Sequence, residues 1–304
     1  MTPGGSTGLS ASTAVVGVIG DPVAHSLSPL LHNTAFAEMG LDWVSVGCRV
    51  PAGRTGAALD GALALGIRGL SVTMPHKDEV ARLVARRSPL ASRLGAVNCV
   101  VAEEDGWRGE NTDGAGLVAA LGRRDGFDPR GRSCLVVGAG GAARAVIAAL
   151  ADAGAAEVVV VNRTPERAVS AVALAGEVGR IGGPEDAPAS DLVVNATPVG
   201  MAGTAPADGG AGGAAPWPLD PSLIHAGQVV VDLIYHPAET RWMEAVRARG
   251  ASVSNGLGML VHQAALQVAD WTGAAPPIEA MWRAVADRQV GGGSGREETA
   301  GTGE

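Results

Sequence analysis

One residue in this chain of 304 residues is set apart by its type as a candidate for proton transfer. Lys77, in the segment Ser71-Val-Thr-Met-Pro-His-Lys77, is the only lysine among 23 basic residues. Arginine and lysine serve equally well in exposed ion pairs, which contribute little to stability. Only lysine readily releases its proton, because the guanidinium group stays charged. The single lysine therefore predicts an acid/base role, and a solvated surface lysine is the alternative.

Further polar side chains stand where predicted strands end or predicted helices begin. They are Ser26, Ser28, Thr73, Asn98 and Asp113. In an α/β sheet such positions gather at one edge, where ligands bind. Hydroxyl, amide and carboxylate groups around one ammonium suit a small polyhydroxylated acid. Structural alternatives exist: Ser28 before Pro29 has the pattern of a helix cap, Asp113 could also cap a helix, and Asn98 could stabilise a hairpin turn.

A glycine-rich turn, Gly138-x-Gly140-x-x-Ala143, follows an apolar strand and opens an alanine-rich helix. Glycines at these places let the backbone turn tightly and approach a pyrophosphate at the helix N-terminus. NAD sites usually place an acid about 20 residues further on, to bind the ribose. This chain has Asn162-Arg163-Thr164 and Arg167 there instead. Because arginine pairs with phosphate in a fork geometry, the sequence predicts NADP rather than NAD.

The elements that must position these residues alternate between strands and helices. Strands are predicted at 15–19, 44–50 and 69–73, with a hairpin over 97–110 and a helix over 78–87. This alternation predicts an α/β fold with a mostly parallel sheet, and the length predicts two domains. Composition predicts disorder at residues 1–13 and 291–304, and a flexible loop at 202–216.

Charge and composition argue against several classes of function. The net charge of −8 is unfavourable for nucleic-acid binding. No apolar run approaches the ~20 residues that span a bilayer, and no secretory signal opens the chain. Three scattered cysteines indicate a reducing cytoplasm. The six histidines lack metal-ligand spacing, so we expect no metal site.

Several motifs together resemble the shikimate dehydrogenase family, in order and approximate spacing. They are His25-Ser-Leu-Ser-Pro29, Ser71-Val-Thr-Met-Pro-His-Lys77, Gly95-Ala-Val-Asn98, Asn111-Thr-Asp-Gly114, Gly138-Ala-Gly-Gly-Ala142, Asn162-Arg-Thr164, Asn195-Ala-Thr197 and Gly256-Leu-Gly-Met-Leu260. The resemblance covers roughly residues 15 to 285. It implies a substrate domain at 14–113 completed by helices at 256–290, and a Rossmann-like NADP-binding domain at 114–255.

The resemblance also implies reversible, NADPH-dependent reduction of 3-dehydroshikimate to shikimate, on the route to chorismate and the aromatic amino acids. Lys77 would be the acid/base, with Asp113 sharing or supporting that role. Ser26 and Ser28 would bind the substrate carboxylate. The ring hydroxyls and nearby atoms would contact Thr73, Lys77, Asn98, Asp113, Tyr235 and Gln263. The alternative to a substrate-binding role for Gln263 is a solvated position on a helix.

On the cofactor side, the resemblance implies three groups of contacts. Gly138, Ala139, Gly140, Gly141 and Ala142 would bind the pyrophosphate. Asn162, Arg163, Thr164 and Arg167 would bind the 2′-phosphorylated ribose. Thr197, Leu233, Gly256 and Met259 would complete the cofactor site, the last three near the nicotinamide.

Alternatives to this function remain open at this point. A relative that oxidises quinate or an aminated shikimate would share these motifs, although Ser28 favours shikimate within the family. A non-catalytic NADP-binding sensor on the same fold is a second alternative, against which Lys77 and Asp113 argue. A cytoplasmic location is expected for the enzyme, and the sequence leaves the oligomeric state open, with a homodimer as one option.

Overall fold

The computed structural model describes residues 8–201 and 217–291. The predicted flexible loop at 202–216 lies outside the described residues, as do residues 1–7 and 292–304 of the predicted disordered ends. Residues 8–13 are described, and there the Thr13 hydroxyl donates to the Asp42 carboxylate at 2.7 Å.

Strands and helices alternate along most of the described chain. The strands are β1 (Ala14–Gly20), β2 (Trp43–Arg49), β3 (Gly69–Val72), β4 (Arg86–Arg87), β5 (Cys99–Glu103), β6 (Gly106–Glu110), β7 (Ser133–Val137), β8 (Glu157–Val161), β9 (Gly179–Ile181), β10 (Leu192–Asn195), β11 (Val229–Asp232) and β12 (Ser252–Asn255). The α-helices are α1 (Ser28–Glu38), α2 (Thr55–Ala64), α3 (Lys77–Leu83), α4 (Pro89–Leu94), α5 (Asp113–Ala120), α6 (Gly141–Asp152), α7 (Pro165–Val172), α8 (Arg241–Arg247), α9 (Leu257–Thr272) and α10 (Ile278–Gly291). A π-helical turn at Leu121–Asp125 continues α5, and 3₁₀ turns lie at Ala173–Val178, Pro184–Ala189 and Pro221–Leu223.

The first sheet has the strand order β2-β1-β3-β5-β6-β4. Strand β1 runs parallel to β2 and β3, whereas β5 is antiparallel to both β3 and β6. Because β5 is reversed, its amino end lies beside the carboxyl ends of β1 and β3. The segments that follow β1 and β3 and the residue that precedes β5 therefore meet at one edge of this sheet.

The second sheet is parallel throughout, in the order β12-β11-β10-β7-β8-β9. Counted from β7, this is the 3-2-1-4-5-6 order of the Rossmann fold. The strand order reverses between β7 and β10, and ligands bind such folds at the carboxyl ends flanking that reversal. The strands are valine-rich and largely buried, as expected for a sheet covered on both faces. The predicted α/β fold class is confirmed.

The C-terminal helices return to the first sheet. Residues of α1, α9 and α10, among them Phe36, Trp271 and Met281, form one buried apolar cluster. Trp271 lies directly over Gly69 of β3, where a Cβ atom would come within 2.2 Å of the indole nitrogen. That nitrogen donates to the Val100 carbonyl at 3.0 Å. Helices α9 and α10 thus cover the sheet at whose edge Lys77 lies.

Several predicted boundaries are wrong. The helix predicted over 78–87 ends at Leu83, and Arg86–Arg87 pair with β6 as a short edge strand. Ser88 then caps a further helix by accepting a bond from Ala91 N at 3.1 Å. Strands β9 and β12 were not predicted, because one is three residues long and the other, Ser252–Asn255, holds only one apolar residue.

Candidate active site

Lys77 and Asp113 form an ion pair at the edge of the first sheet. Lys77 Nζ lies 2.5 Å from Asp113 Oδ2, and the side chains are 19% and 6% exposed. Lys77 is the first residue of α3, and Asp113 is the first residue of α5. The solvated alternative for Lys77 is therefore wrong. So is the capping alternative for Asp113, since Thr112 occupies the N-cap position and the Asp113 carboxylate faces Lys77.

Asn98 is buried and links the carboxylate to the hairpin. Its amide nitrogen donates to Asp113 Oδ1 at 2.8 Å and to Thr112 Oγ1 at 3.0 Å. Its amide oxygen accepts from Thr112 N at 2.8 Å. The backbone nitrogen of Asn98 also bonds to Glu110, at the end of β6. Asn98 therefore holds the base of the hairpin, as its structural alternative predicts, and also orients the carboxylate that pairs with Lys77.

Helix α9 contributes two buried glutamines to the same network. Gln263 Oε1 lies 3.4 Å from Asn98 Nδ2 and 2.9 Å from Gln267 Nε2. Gln267 Nε2 also donates to the Asn98 carbonyl at 3.0 Å. The solvated alternative for Gln263 is wrong, since this residue is only 6% exposed.

The remaining predicted substrate residues lie around this network. Thr73 follows β3, next to Gly20 at the end of β1. Ser26 precedes α1, and its hydroxyl accepts from Ser28 N at 3.2 Å. Ser28 is the first helical residue with Leu27 at the N-cap position, so the predicted cap is wrong. Among the described residues no partner bonds to the Ser28 hydroxyl, which leaves it available to a ligand.

Tyr235 follows β11, in the nucleotide-binding half of the chain. Desolvation by burial raises the pKa of its hydroxyl above the ordinary value. The phenol is therefore neutral near pH 7 and can donate a hydrogen bond. Within the part of the chain that the structure describes, no hydrogen bond joins Tyr235 to Lys77 or Asp113, so its place in a substrate site stays a prediction.

The glycine-rich turn has the shape that a pyrophosphate requires. Gly138 has a φ of +119°, and a Cβ atom there would meet the Ala196 carbonyl oxygen at 3.0 Å. Gly140 and Gly141 face open space, with no described atom within 4 Å of an added Cβ. Helix α6 starts at Gly141, so its free N–H groups point at this space. The predicted turn residues Ala139 and Ala142 lie in the same segment.

The two arginines of the predicted ribose site are exposed and carry no ion pair within the part of the chain that the structure describes. Arg163 follows β8, and Arg167 lies in the first turn of α7. Between them, Thr164 holds the N-cap position, and its carbonyl accepts from Asn162 Nδ2 at 2.9 Å. Unpaired guanidinium groups at this sheet edge fit the phosphate of NADP.

A buried carboxyl group organises the other side of the nucleotide site. Asp232 accepts from Asn195 Nδ2 at 2.9 Å and from Thr240 Oγ1 at 2.9 Å. Burial raises the pKa of Asp232, and these hydrogen bonds oppose the shift. Asn195 Oδ1 in turn accepts from Thr197 Oγ1 at 2.7 Å. The network thus fixes Thr197 and the segment with Leu233, beside the glycine-rich turn.

Gly256 and Met259 connect the two halves of the molecule. A Cβ atom at Gly256 would lie 2.1 Å from the Leu233 carbonyl oxygen, so only glycine fits where α9 begins. Met259 is buried in the core of the nucleotide-binding half. A second connection is the ion pair of Arg144 in α6 with Asp78 in α3, at 2.7 Å. It places the nucleotide-binding helix against the helix that begins with Lys77.

Sequence reasoning missed several residues of these networks. Gln267 carried a usable signal, since it is polar, one turn after Gln263 and within a largely apolar helix. Thr112 lay inside a recognised motif. Asp232 and Arg144 had no local signal, because Asn195 and Asp78 lie 37 and 66 residues away from them. Thr240, eight residues after Asp232, did carry a local signal, since it caps helix α8. The described residues hold no cluster of three metal-ligating side chains and no helix long and apolar enough to cross a membrane.

A Rossmann fold whose arginines suit a 2′-phosphate, next to a lysine–carboxylate pair, defines an NADP-dependent dehydrogenase of the α/β class. Three family models match the chain: the shikimate dehydrogenase substrate binding domain over residues 18–100, shikimate / quinate 5-dehydrogenase over 123–182, and the shikimate 5′-dehydrogenase C-terminal domain over 256–286. The chain belongs to the shikimate dehydrogenase family, which confirms the predicted resemblance.

Individual relatives support this assignment over nearly the whole chain. The shikimate dehydrogenase (NADP(+)) of Moorella thermoacetica is 42% identical over 303 residues, covering 94% of this chain and 97% of the relative. The crystal structure of a shikimate dehydrogenase in complex with NADP+ has a TM-score of 0.84 at 36% identity and covers 92% and 97% of the two chains. The Thermus thermophilus enzyme in complex with NADP(H) and shikimate has a TM-score of 0.81 at 36% identity, with 90% and 99% covered.

Proposed function

We propose that the protein catalyses the reversible, NADPH-dependent reduction of 3-dehydroshikimate to shikimate. The observation that carries this proposal is the Lys77–Asp113 pair, held by Asn98 at the edge of one sheet and joined by Asp78–Arg144 to the nucleotide-binding helix. The reaction belongs to the shikimate pathway of aromatic amino-acid biosynthesis. A cytoplasmic location, which the three scattered cysteines suggest, and a homodimer are part of the same proposal.

The cofactor would lie across the carboxyl edge of the second sheet. Gly138 to Ala142 would bind the pyrophosphate through the free N–H groups of α6. Asn162 to Thr164 and Arg167 would bind the 2′-phosphorylated ribose. Thr197, Leu233, Gly256 and Met259 would lie on the nicotinamide side. When bound, NADPH supplies the hydride.

Lys77 supplies the proton that completes the reduction. Hydride addition to the ketone leaves negative charge on the carbonyl oxygen, and a protonated Lys77 stabilises that charge and then donates its proton. In the oxidation direction, the neutral amine accepts the proton of the shikimate hydroxyl. Asp113 holds Nζ in place through the 2.5 Å contact and is positioned to bond the same hydroxyl.

The substrate acid would be bound by hydroxyl and amide groups. The free Ser28 hydroxyl and Ser26 would take the carboxylate. Thr73, Asn98, Tyr235 and Gln263 would take the ring hydroxyls. Quinate is the second candidate substrate, because one matching family model names both shikimate and quinate.

The test separates charge from proton transfer. Lys77→Arg keeps the positive charge but cannot release a proton, so we expect kcat to fall at least ~100-fold. Asp113→Asn keeps the shape of the side chain and removes its charge, and a lower kcat with a smaller change in KM would support its orienting role. NADPH binding, measured by fluorescence, should be unchanged in both variants.

If Lys77→Arg retains the wild-type kcat, proton transfer by Lys77 is wrong and only its charge matters. The same assay with quinate and with NAD decides the substrate and the cofactor. A higher kcat/KM with quinate than with shikimate would overturn the proposed substrate. Tight NADPH binding without turnover of either compound would favour a sensor.

A further inference from the structure

His76, the residue before Lys77, is bonded on both ring nitrogens although it is only 1% exposed. Its Nε2 lies 2.7 Å from the carbonyl oxygen of Val50, which follows β2. Its Nδ1 lies 3.0 Å from the hydroxyl oxygen of Thr55, the first residue of α2. That hydroxyl also lies 2.5 Å from Glu79 Oε2, in the first turn of α3. The four groups form one continuous hydrogen-bonded chain.

The number of protons in this chain determines the charge of the ring. A carbonyl oxygen can only accept, so Nε2 must carry a proton. The Thr55 hydroxyl has a single proton to donate. If the ring were neutral, two acceptors would need that proton: Nδ1 of the ring and the ionised oxygen of Glu79. One proton cannot satisfy both acceptors. Every hydrogen bond is made when Nδ1 also carries a proton and donates to the Thr55 hydroxyl, which in turn donates to Glu79.

The extra proton belongs on the ring rather than on the carboxylate. Glu79 is only half-buried and lies in the first turn of α3, where the helix dipole favours an anion. The His76 ring has two acceptors in hydrogen-bond reach, and these offset the cost of placing a charge at its buried position. The arrangement is therefore an imidazolium and a carboxylate joined through a hydroxyl.

Other charged groups on the surrounding elements are engaged elsewhere or exposed. Lys77 bonds to Asp113, Asp78 bonds to Arg144, Arg49 bonds to Asp21, and Arg54 is exposed. Among the described residues, Glu79 is thus the carboxylate that is hydrogen-bonded to His76 through Thr55. Its charge compensates that of the buried imidazolium, which would otherwise be costly.

We propose that His76 is a positioning residue of the dehydrogenase, held as an imidazolium in the His76–Thr55–Glu79 chain. The chain ties the end of β2 and the start of α2 to the first turn of α3. Lys77 is the first residue of that turn, so the chain fixes the point from which Nζ reaches Asp113. This inference rests on the proposed acid/base role of Lys77.

The first measurement reads the charge of His76 without using activity. Nitrogen-15 NMR of the histidine rings, assigned by loss of one signal in His76→Gln, should show both nitrogens of His76 protonated at pH 7. In Glu79→Gln, the new amide can donate to Thr55 and release the hydroxyl proton toward the ring. We therefore expect His76 to become neutral in that variant. A neutral ring in the wild-type protein at pH 7 would overturn the proposal.

The second measurement compares two substitutions at the central hydroxyl. Thr55→Val removes the hydroxyl at nearly constant volume, and Thr55→Ser keeps it. We expect kcat to fall about tenfold in Thr55→Val, because displacement of a catalytic group by a fraction of an ångström slows the reaction. Thr55→Ser should restore most of that loss. The KM for NADP+ should not change in either variant, which also shows that both are folded.

A wild-type kcat in Thr55→Val, or equal losses in both variants, would refute the positioning role. Failure of the proposed function is a separate result. In that case the wild-type protein would show no turnover of shikimate, while the NMR signals of His76 would still report its charge.

Discussion

Helix α5 carries Asp113, helix α9 carries Gln263, and the two helices meet at Gly116 with no side chain between them. A Cβ atom at Gly116 would lie 2.8 Å from the backbone nitrogen of Gln263, and ordinary van der Waals contact begins at 3.4 Å. Gly116→Ala therefore requires the helices to separate by about 0.6 Å (3.4 − 2.8). Such overpacking costs ~1–3 kcal/mol, offset by ~1 kcal/mol of helix propensity. We expect a net loss of up to about 2 kcal/mol in the free energy of unfolding.

The same separation acts on the active site. The Asn98–Gln263 hydrogen bond is already 3.4 Å long and would be lost. Since a displacement of ~1 Å can cost ~100-fold in rate, we expect kcat/KM for shikimate to fall about tenfold. Urea unfolding and steady-state kinetics measure the two effects on one preparation.

Gly61→Ala is the matched control for this experiment. Gly61 lies inside α2 on its exposed face, and no described atom lies within 4 Å of an added Cβ. Its replacement should stabilise the protein by ~0.5–1 kcal/mol and leave kinetics unchanged. If Gly116→Ala is stabilised like the control and keeps its kcat/KM, the close α5–α9 contact is not what positions Gln263.

Two further predictions concern the cofactor and the dependence of stability on pH. Arg163→Ala and Arg167→Ala should each raise the KM for NADP+ at least ~10-fold and change the KM for NAD+ much less, because only NADP carries the 2′-phosphate; equal changes for both cofactors would contradict this assignment. Burial lowers the pKa of His32 to about 3, from ~6.5 in the unfolded chain. The unfolded state therefore binds more protons between these values, so this contribution to stability is fully present above pH 6.5 and is lost as the pH falls toward 3. At pH 5 the loss is ~2 kcal/mol, which urea unfolding at pH 7 and pH 5 would measure, and His32→Leu should remove that part of the dependence. An unchanged dependence in His32→Leu would show that other groups cause it.

The local motifs were readable from the sequence because each acts through neighbouring residues. The turn from Gly138 depends on the conformational freedom of glycine at a strand–helix junction. The arginines after β8 carry positive charge, and this alone indicates binding of a phosphate. The single lysine was identified by composition. The rule that strand ends gather at one sheet edge predicted that Asp113 lies near Lys77, whereas the ion pair between them is a finding of the structure.

Local signals were misleading where pairing across the fold decides the outcome. Arg86–Arg87 carry helical propensity but form an edge strand, because β6 offers free hydrogen-bonding groups. Strand β12 is polar, and its pairing with β11 defines it. Ser28 has the pattern of a cap, yet the helix starts one residue earlier than that pattern requires, which leaves the hydroxyl free for a ligand.

By itself, the sequence determined the fold class, the nucleotide turn and the candidate acid/base Lys77, because these follow from composition and from contacts between near neighbours. Only the tertiary structure decided how that lysine is held. Asp113, Asn98, Gln263 and Gln267 converge from α5, the residue before β5, and α9, up to 169 residues apart. Hydrogen bonds are directional and short in range, so which distant polar groups satisfy one another is settled only when the elements that carry them have packed.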